Sequence, residues 1–243
     1  MPDCVLQRNH VGLGFGGVDV QMRLGARVEQ QDAAYVGPGI VAVADGMGGH
    51  ARGAEASRAA LEAFAATARG GATLEDAVGQ ADVAVRALSD GWSYTAPGTT
   101  LVAARLTGAA VRGVWSGDSR AYRLRTDGVL ELLTEDHTAL SGGIEHALGA
   151  FDSGPVHFDR FEVPVVGTVG LLLCTDGLTG PFEEAWLDEQ VGPDIKLIND
   201  DPTLTIGALL TDHGLAALAD LAATVDSDNV TALWWPLQQP SNT

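Results

Sequence analysis

Four aspartates stand at the ends of apolar segments that have the composition of buried strands. Three of them follow such a segment directly or after a glycine, and the fourth precedes one: Asp45, Asp118, Asp176 and Asp228. A single aspartate at such a position is usually a turn residue, because its side chain caps tight turns. Four of them in one chain suggest carboxylates that gather where several strand ends meet.

Carboxylates gathered in this way need positive charge beside them. Like charges within a few ångströms of one another cannot all stay ionised unless cations neutralise them. Oxygen ligands without a Cys or His partner select Mg²⁺, Mn²⁺ or Ca²⁺ rather than zinc or copper. Two such ions side by side lower the pKa of a water between them and place it for in-line attack on a phosphoryl group.

Phosphoryl chemistry also needs a cationic side chain for the phosphate oxygens. Arginine suits this task because its planar guanidinium group binds two oxygens at once. Arg27 lies just past the predicted strand at 18–24 and precedes a further aspartate, Asp32, by five residues. We therefore take Arg27 as the candidate phosphate ligand, with a solvated surface charge as the alternative.

The predicted elements that carry these residues come in blocks. Hydrophobic patterning predicts strands at 18–24, 39–44, 101–106, 111–116, 170–175 and 230–235. It predicts helices at 54–69, 74–88 and 206–223, and Thr73 with Asp76 resembles a capping box before the second. Such blocks favour an α+β fold of packed antiparallel sheets with helices outside. The weakly patterned segment 139–163 is expected to be a mobile flap, and the glycines at 12, 14 and 17 a flexible turn.

Length, composition and charge narrow the classes of protein. The 243 residues are 46% hydrophobic, and the pattern predicts one domain over 1–243, with a core of about 18–237 and a short tail at 238–243. The net charge of −18 would repel nucleic acid and anionic membranes. The sequence shows neither a secretory signal nor a recognisable membrane segment, so we expect a cytoplasmic protein.

The same residues fall into a series of motifs that resembles the metal-dependent Ser/Thr protein phosphatases of the protein phosphatase 2C type. The motifs follow the family's order over about 18–235, and they occupy residues 27–32, 43–50, 98–100, 116–122, 133–138, 174–178 and 228–231. The Asp-Gly-Met-Gly-Gly-His form at 45–50 is similar to the bacterial branch of this family.

The resemblance implies a four-layer αββα sandwich in which helices flank two central antiparallel sheets. It also implies two Mn²⁺ or Mg²⁺ ions at one end of the sheets, with a third, weaker site. By motif position, Asp45 would bridge the two ions and the Gly46 carbonyl would bind one of them. Asp176 and Asp228 would complete the pair, and Asp118 would hold the third ion together with Asp176.

Other family positions concern the phosphate and the proton. By the resemblance, Arg27 would bind the substrate phosphate, and Asp32 would orient metal-bound water from behind the ligands. Met47 stands where the animal enzymes carry a histidine proposed to protonate the leaving group, which a thioether cannot do. His50 is our substitute candidate for this acid, with a packing or supporting role as the alternative.

The function implied is removal of phosphate from phosphoserine and phosphothreonine of proteins, by direct attack of a metal-bridging hydroxide. The partners would be phosphorylated proteins, the substrates of a Ser/Thr kinase, and we expect a monomer. One alternative is a regulatory phosphatase of an anti-anti-sigma partner, although many of those regulators lack the arginine found at 27. The other is a non-catalytic phosphoprotein-binding relative, against which the intact aspartates argue.

Overall fold

Two antiparallel sheets stack on each other, and each carries helices on its outer face. The computed structural model describes residues 4–15, 17–47, 52–89, 96–140, 142–149, 154–187, 197–225 and 228–237. In chain order the described elements are β1 (Cys4–Leu6), β2 (His10–Phe15), β3 (Val18–Arg23), β4 (Asp32–Gly37), β5 (Ile40–Met47), α1 (Arg52–Arg69), α2 (Leu74–Arg86), β6 (Gly98–Thr99), β7 (Leu101–Thr107), β8 (Ala110–Ser116), β9 (Arg120–Arg125), β10 (Leu130–Leu132), β11 (Asp159–Pro164), β12 (Thr168–Cys174), α3 (Asp176–Leu187), α4 (Pro202–Val225) and β13 (Val230–Pro236).

The strands divide between sheet I and sheet II. Sheet I has the order β1-β4-β5-β7-β8-β11, with β6 paired to β5, and sheet II has the order β10-β9-β12-β13-β3-β2. Neighbouring strands run antiparallel throughout the described residues. The chain thus forms the four-layer αββα sandwich that the resemblance implied.

Strand β5 is covered on both faces, which explains the unbroken apolar run in its sequence. Val41 and Val43 are fully buried in the core between the two sheets. Ala42 and Ala44 point to the opposite face, where they pack in a second core with residues of α1 and α2 such as Phe64. A strand covered on both faces has no place for alternating polar residues. The small alanines on its helix-facing side let α1 pack close to the sheet.

Two predictions for irregular segments were wrong in part. Gly12 and Gly14 lie within β2, which forms a hairpin with β3, and Gly17, with φ of +89°, stands at the turn between these strands. The last residues of the predicted flap form β11, which pairs with β8 at the edge of sheet I. In β11 the buried residues Phe161 and Val163 alternate with exposed ones. This alternation is too short to predict a strand after a glycine-containing segment.

Helix α4 is the one described helix that is long and apolar enough to cross a membrane by length and composition. In the structure it packs Ile206, Leu210 and Leu218 into the core under sheet II, and the backbone is interrupted at Gly214. A helix in the core of a globular protein meets the same criterion. That the chain has no membrane segment therefore stays a prediction.

The capping box predicted before α2 is confirmed. The Asp76 amide donates to Thr73 Oγ1 at 3.1 Å, and the Thr73 amide and hydroxyl donate to the Asp76 carboxylate at 3.4 and 2.8 Å. These bonds satisfy amides that the first turn of a helix would otherwise leave without partners. Helix α2 packs beside α1, so the box stabilises the helical layer over sheet I.

We expect Thr73→Ala to lower the free energy of unfolding by about 1 kcal/mol, because it removes one half of this box. Urea denaturation followed by circular dichroism measures the change. Thr67→Ala is the matched control, since the Thr67 hydroxyl donates to a carbonyl within α1 and caps no helix end. Equal losses in the two variants would contradict the capping role.

Candidate metal centre

The aspartates predicted from the sequence converge at one end of the two sheets. In sheet I, Asp32 at the start of β4 lies directly opposite Asp45 on β5. In sheet II, Asp176 follows β12 at the first position of α3, and Asp228 precedes β13 by two residues. Asp118 lies in the connection from β8 to β9, where the chain passes from sheet I to sheet II.

An open cavity of about 460 Å³ lies at this end of the sandwich. Four of the predicted carboxylates, the candidate phosphate ligand and the glycine after the second aspartate line it: Asp45, Asp118, Asp176, Asp228, Arg27 and Gly46. Its rim includes side chains without an assigned role, among them Val28, Met47 and Ile144. Asp32 is buried behind the cavity wall and is 1% exposed. His50 lies outside the described residues, so its role stays a prediction.

Burial and mutual repulsion disfavour the ionised forms of Asp32 and Asp45. Burial raises the pKa of Asp32 well above its usual value, and the charges of Asp176 and Asp228 raise it further. Burial also raises the pKa of Asp45, together with the charges of Asp32, Asp176 and Asp228. Residues paired directly across two antiparallel strands have Cβ atoms about 5 Å apart, and like charges there are destabilising.

Asp118 experiences the same effects at the other side of the cavity. Burial, followed by the charges of Asp176 and Asp136, raises the pKa of Asp118 from 3.8 to about 7. A divalent cation beside these groups would favour their ionised form and remove the repulsion. Because the donors that line the cavity are oxygen atoms, the set fits Mg²⁺ or Mn²⁺.

Threonine hydroxyls hold the backbone of Asp45 in place. The Thr99 hydroxyl and the Thr100 amide donate to the Asp45 carbonyl at 2.8 and 2.9 Å, and the Asp45 amide donates to Thr100 Oγ1 at 2.9 Å. Thr100 Oγ1 also lies 2.7 Å from the Ser119 hydroxyl, next to Asp118. The Gly-Thr-Thr motif at 98–100 therefore joins two of the carboxylate-bearing segments.

Gly117 shows how closely these two segments approach each other. Its φ is +106°, and a Cβ on this residue would lie 2.6 Å from Thr100 Cγ2. Both the left-handed conformation and the short distance require glycine. The glycine before Asp118 is thus fixed by the same packing that brings Asp118 to the cavity.

Asp32 is held by the hydroxyl group of a residue that directly follows β12 of sheet II. Thr175 Oγ1 donates to Asp32 Oδ2 at 2.9 Å, and this hydrogen bond lowers the pKa of the carboxyl group against the larger effect of burial. No role was predicted for Thr175, although it belongs to the motif at 174–178. Its position directly before Asp176 is the signal that could have indicated one.

The loop that carries Arg27 is tied to the segment that carries Asp228. Asn229 accepts from the Gln31 amide at 2.8 Å and donates to the Leu24 carbonyl at 2.9 Å, so it spans both ends of this loop. The half-exposed Arg27 donates to Asp228 Oδ2 at 2.5 Å. Burial opposes the change, but this bond and the nearby negative charges raise the pKa of Arg27 above its ordinary value.

Residues 26–196 match the family model of protein phosphatase 2C. The chain belongs to the protein phosphatase 2C family. It is 34% identical over 204 residues to the serine/threonine phosphatase stp of Listeria innocua, an alignment that covers 62% of the chain and 70% of that protein. It is 31% identical over 185 residues to the serine/threonine protein phosphatase PstP of Mycobacterium tuberculosis, with 65% of the chain and 35% of PstP covered.

Solved structures of phosphatases share the fold. The crystal structure of Mycobacterium tuberculosis PstP gives a TM-score of 0.70 at 28% identity, over 91% of this chain and 98% of that one. The catalytic domain of PstP in complex with two manganese ions gives a TM-score of 0.67 at 27% identity, over 91% of this chain and 98% of that one. This protein phosphatase 2C chain spans about a third of the length of full PstP.

The raised pKa of Asp118 predicts how pH changes the stability of this family member without added metal. A carboxyl group with a raised pKa binds its proton more tightly in the folded state, so the stability it contributes is present below about pH 4 and is lost as the pH rises through about 7. In EDTA, we expect Asp118→Asn to be more stable than the unsubstituted protein at pH 8, by on the order of 1 kcal/mol. At pH 5 the difference should be much smaller.

Thermal unfolding at both pH values measures this difference. Asp212→Asn, at an exposed position of α4, is the control and should follow the unsubstituted protein. An Asp118→Asn variant with the same pH dependence as the unsubstituted protein would contradict the proposed ionisation.

Proposed function

We propose that this protein is a metal-dependent protein Ser/Thr phosphatase. Family membership and the phosphatase relatives support the protein Ser/Thr phosphatase activity. The observation that carries the metal dependence is the set of carboxylates around one open cavity, with Arg27 at its edge. The raised pKa values of Asp45 and Asp118 are those of a site that requires cations to keep its carboxyl groups ionised.

Five residues would hold the ions, which we propose to be Mn²⁺ or Mg²⁺. Asp45 would bridge two ions, and the Gly46 carbonyl, Asp176 and Asp228 would complete the pair. Asp118 would hold a third, weaker ion together with Asp176. The two manganese ions of the PstP catalytic domain support this proposal. When bound, the ions would supply a bridging hydroxide that attacks phosphorus directly, without a covalent enzyme intermediate.

Arg27 would bind and orient the phosphate group of the substrate. Its guanidinium now donates to Asp228, the same carboxylate that we propose as a metal ligand. A cation on Asp228 would compete for this oxygen and leave the guanidinium group able to bind two phosphate oxygens. The loop that carries Arg27 is anchored by Asn229, so the arginine stays at the cavity when it changes partner.

Asp32 would act from behind the ligands. It is buried, accepts a hydrogen bond from Thr175 and lies opposite Asp45, which supports a role in orienting water at the ions rather than in binding substrate. His50 remains our candidate for the acid that protonates the leaving alcohol, with a packing or supporting role as the alternative. The rim residues Val28 and Ile144 are apolar and would contact the part of the substrate around the phosphorylated residue.

The partners we propose are phosphorylated proteins, the substrates of a Ser/Thr kinase, and we propose a cytoplasmic monomer. A regulatory phosphatase of an anti-anti-sigma partner is less favoured, because Arg27 lies at the cavity where a phosphate would bind. A non-catalytic phosphoprotein-binding relative is also less favoured, because carboxylates around one cavity would repel a phosphate group unless cations were bound there.

Substitution of one proposed ligand tests the metal chemistry. We expect Asp176→Asn to lower Mn²⁺-dependent hydrolysis of a phosphothreonine peptide by at least about 100-fold, because it removes a ligand of both the paired and the third ion. Calorimetric titration of the same variant should show weaker Mn²⁺ binding. Asp212→Asn is the control and should keep full activity. Retention of most activity in Asp176→Asn would overturn the proposed site, and no stimulation of the unsubstituted protein by Mn²⁺ would favour a non-catalytic binding protein.

Substitution of Arg27 tests phosphate recognition separately from metal binding. We expect Arg27→Ala to raise the KM for the phosphopeptide about tenfold while Mn²⁺ affinity stays the same or increases, because Asp228 loses its competing partner. Steady-state kinetics and calorimetry measure the two quantities. Arg58→Ala, at an exposed position of α1, is the control. An unchanged KM in Arg27→Ala would show that the arginine does not bind phosphate.

A further inference from the structure

A group of imidazole rings lies at the edge of sheet I. This imidazole cluster consists of His137, His146 and His157, together with the carboxylate of Asp159 at the first position of β11. The ring centroids of His146 and His157 are 4.1 Å apart, and those of His137 and His157 are 5.1 Å apart. His137 lies in the family motif at 133–138, but the resemblance assigned no role to any of these four side chains.

Three donor atoms of the cluster have the spacing of ligands around one ion. His137 Nε2 lies 3.2 Å from Asp159 Oδ2, and His157 Nε2 lies 3.7 Å from the same oxygen. One donor atom from each of the three residues lies within 4.8 Å of the other two. Tetrahedral coordination at a metal–ligand distance of about 2.0–2.1 Å places the donors roughly 3.3 Å apart.

We propose that His137, His157 and Asp159 bind a Zn²⁺ ion in a site separate from the carboxylate centre. Two imidazoles and one carboxylate are a donor set that zinc uses, whereas Mg²⁺ prefers oxygen ligands alone. The carboxylate centre, lined by oxygen donors, has the opposite preference. The chain therefore has two cation sites of different selectivity.

The surroundings of the cluster combine one fixed ligand with two accessible ones. His137 is buried, its ring stacks on Trp115, and its amide donates to the Gly117 carbonyl at 3.1 Å. His157 and Asp159 are about half exposed, so an ion can reach them from solvent. His146 lies beside His157, and rotation of its side chain would offer a fourth ligand.

Zinc binding requires the proton of His137 to change place. Nδ1 of this ring now accepts from the Gly117 amide at 3.3 Å, so the neutral ring carries its proton on Nε2, which faces Asp159. Coordination through Nε2 moves this proton to Nδ1, and the ring must turn slightly away from Gly117. The hydrogen bonds of the ring to Gly117 and to Asp159 are lost, while three metal–ligand bonds form.

The ion would also connect two parts of the chain. His137 precedes and His157 follows the segment that carries Ile144, a residue of the cavity rim. The Glu145 amide next to Ile144 donates to the His137 carbonyl at 2.7 Å. Zinc would hold both ends of this segment against the edge of sheet I. An effect of zinc on catalysis would rest on the proposed phosphatase function, but zinc binding itself does not.

Calorimetric titration of the full chain with ZnCl₂ tests the site. The experiment uses Asp176→Asn as background and excess Mg²⁺, so that the carboxylate centre contributes little to zinc binding. We expect one Zn²⁺ per chain, and at least tenfold weaker binding when His157→Ala or Asp159→Asn is added. His213→Ala, at an exposed histidine of α4, is the matched control and should bind zinc normally.

Cobalt supplies a second measurement that reports the ligands. Co²⁺ in the same background should give a visible absorption band of four- or five-coordinate geometry, and His157→Ala should abolish it. Zinc affinity unchanged by His157→Ala, or no zinc bound in excess Mg²⁺, would overturn the proposal. Because the test is done in a background that lacks Asp176, its result does not depend on whether the phosphatase proposal holds.

Discussion

Asp32 and Asp45 face each other across two neighbouring strands, and further carboxylates stand around the same cavity. In a poorly hydrated place, negative charges at such distances raise one another's pKa values and disfavour the folded, ionised state. This repulsion is the interaction on which the architecture of the site depends. It explains why the donors must be held rigidly by neighbours and why cations would bind there strongly.

The neighbours that hold these carboxylates are small and uncharged. Thr99 and Thr100 bond to the backbone of Asp45, and Thr175 bonds to the side chain of Asp32. These hydroxyl groups bond to the Asp45 backbone and to one oxygen of Asp32 without adding charge, so the negative charge of the carboxylates is left for the ions to neutralise. Apart from Arg27, the described residues that line the cavity are acidic, neutral polar or apolar. Ions bound to Asp228 would compete with Arg27 for this carboxylate and so release the arginine.

The net charge of −18 is therefore a poor guide to the ligands that the protein binds. An acidic protein can bind a phosphorylated substrate where ions and one arginine reverse the local potential. The imidazole cluster adds a second kind of donor at the edge of the same sheet. Hard ions and borderline ions would then bind at different places, because the imidazole donors lie at the edge of sheet I and the carboxylate centre is lined by oxygen donors.

Several features of this protein are determined locally and could be predicted from the sequence. The capping box of Thr73 and Asp76 forms within four residues, and the strands with long apolar runs, such as β5, depend on burial that composition alone indicates. The motifs predicted which aspartates share a site, because the order of the motifs was known from a family. Short or glycine-rich strands such as β2 were missed, since glycine and small residues give no periodic signal.

The tertiary structure alone decided what depends on register and on distant parts of the chain. The pairing of β4 with β5 places Asp32 opposite Asp45, and a shift by one residue would turn their side chains to opposite faces. The hydroxyl of Thr175 reaches Asp32 only because the two sheets pack face to face. His137 and His157 meet because β11 pairs with β8 at the sheet edge. Sequence fixes which groups are present, whereas distances between groups far apart in the chain arise from packing of the two sheets.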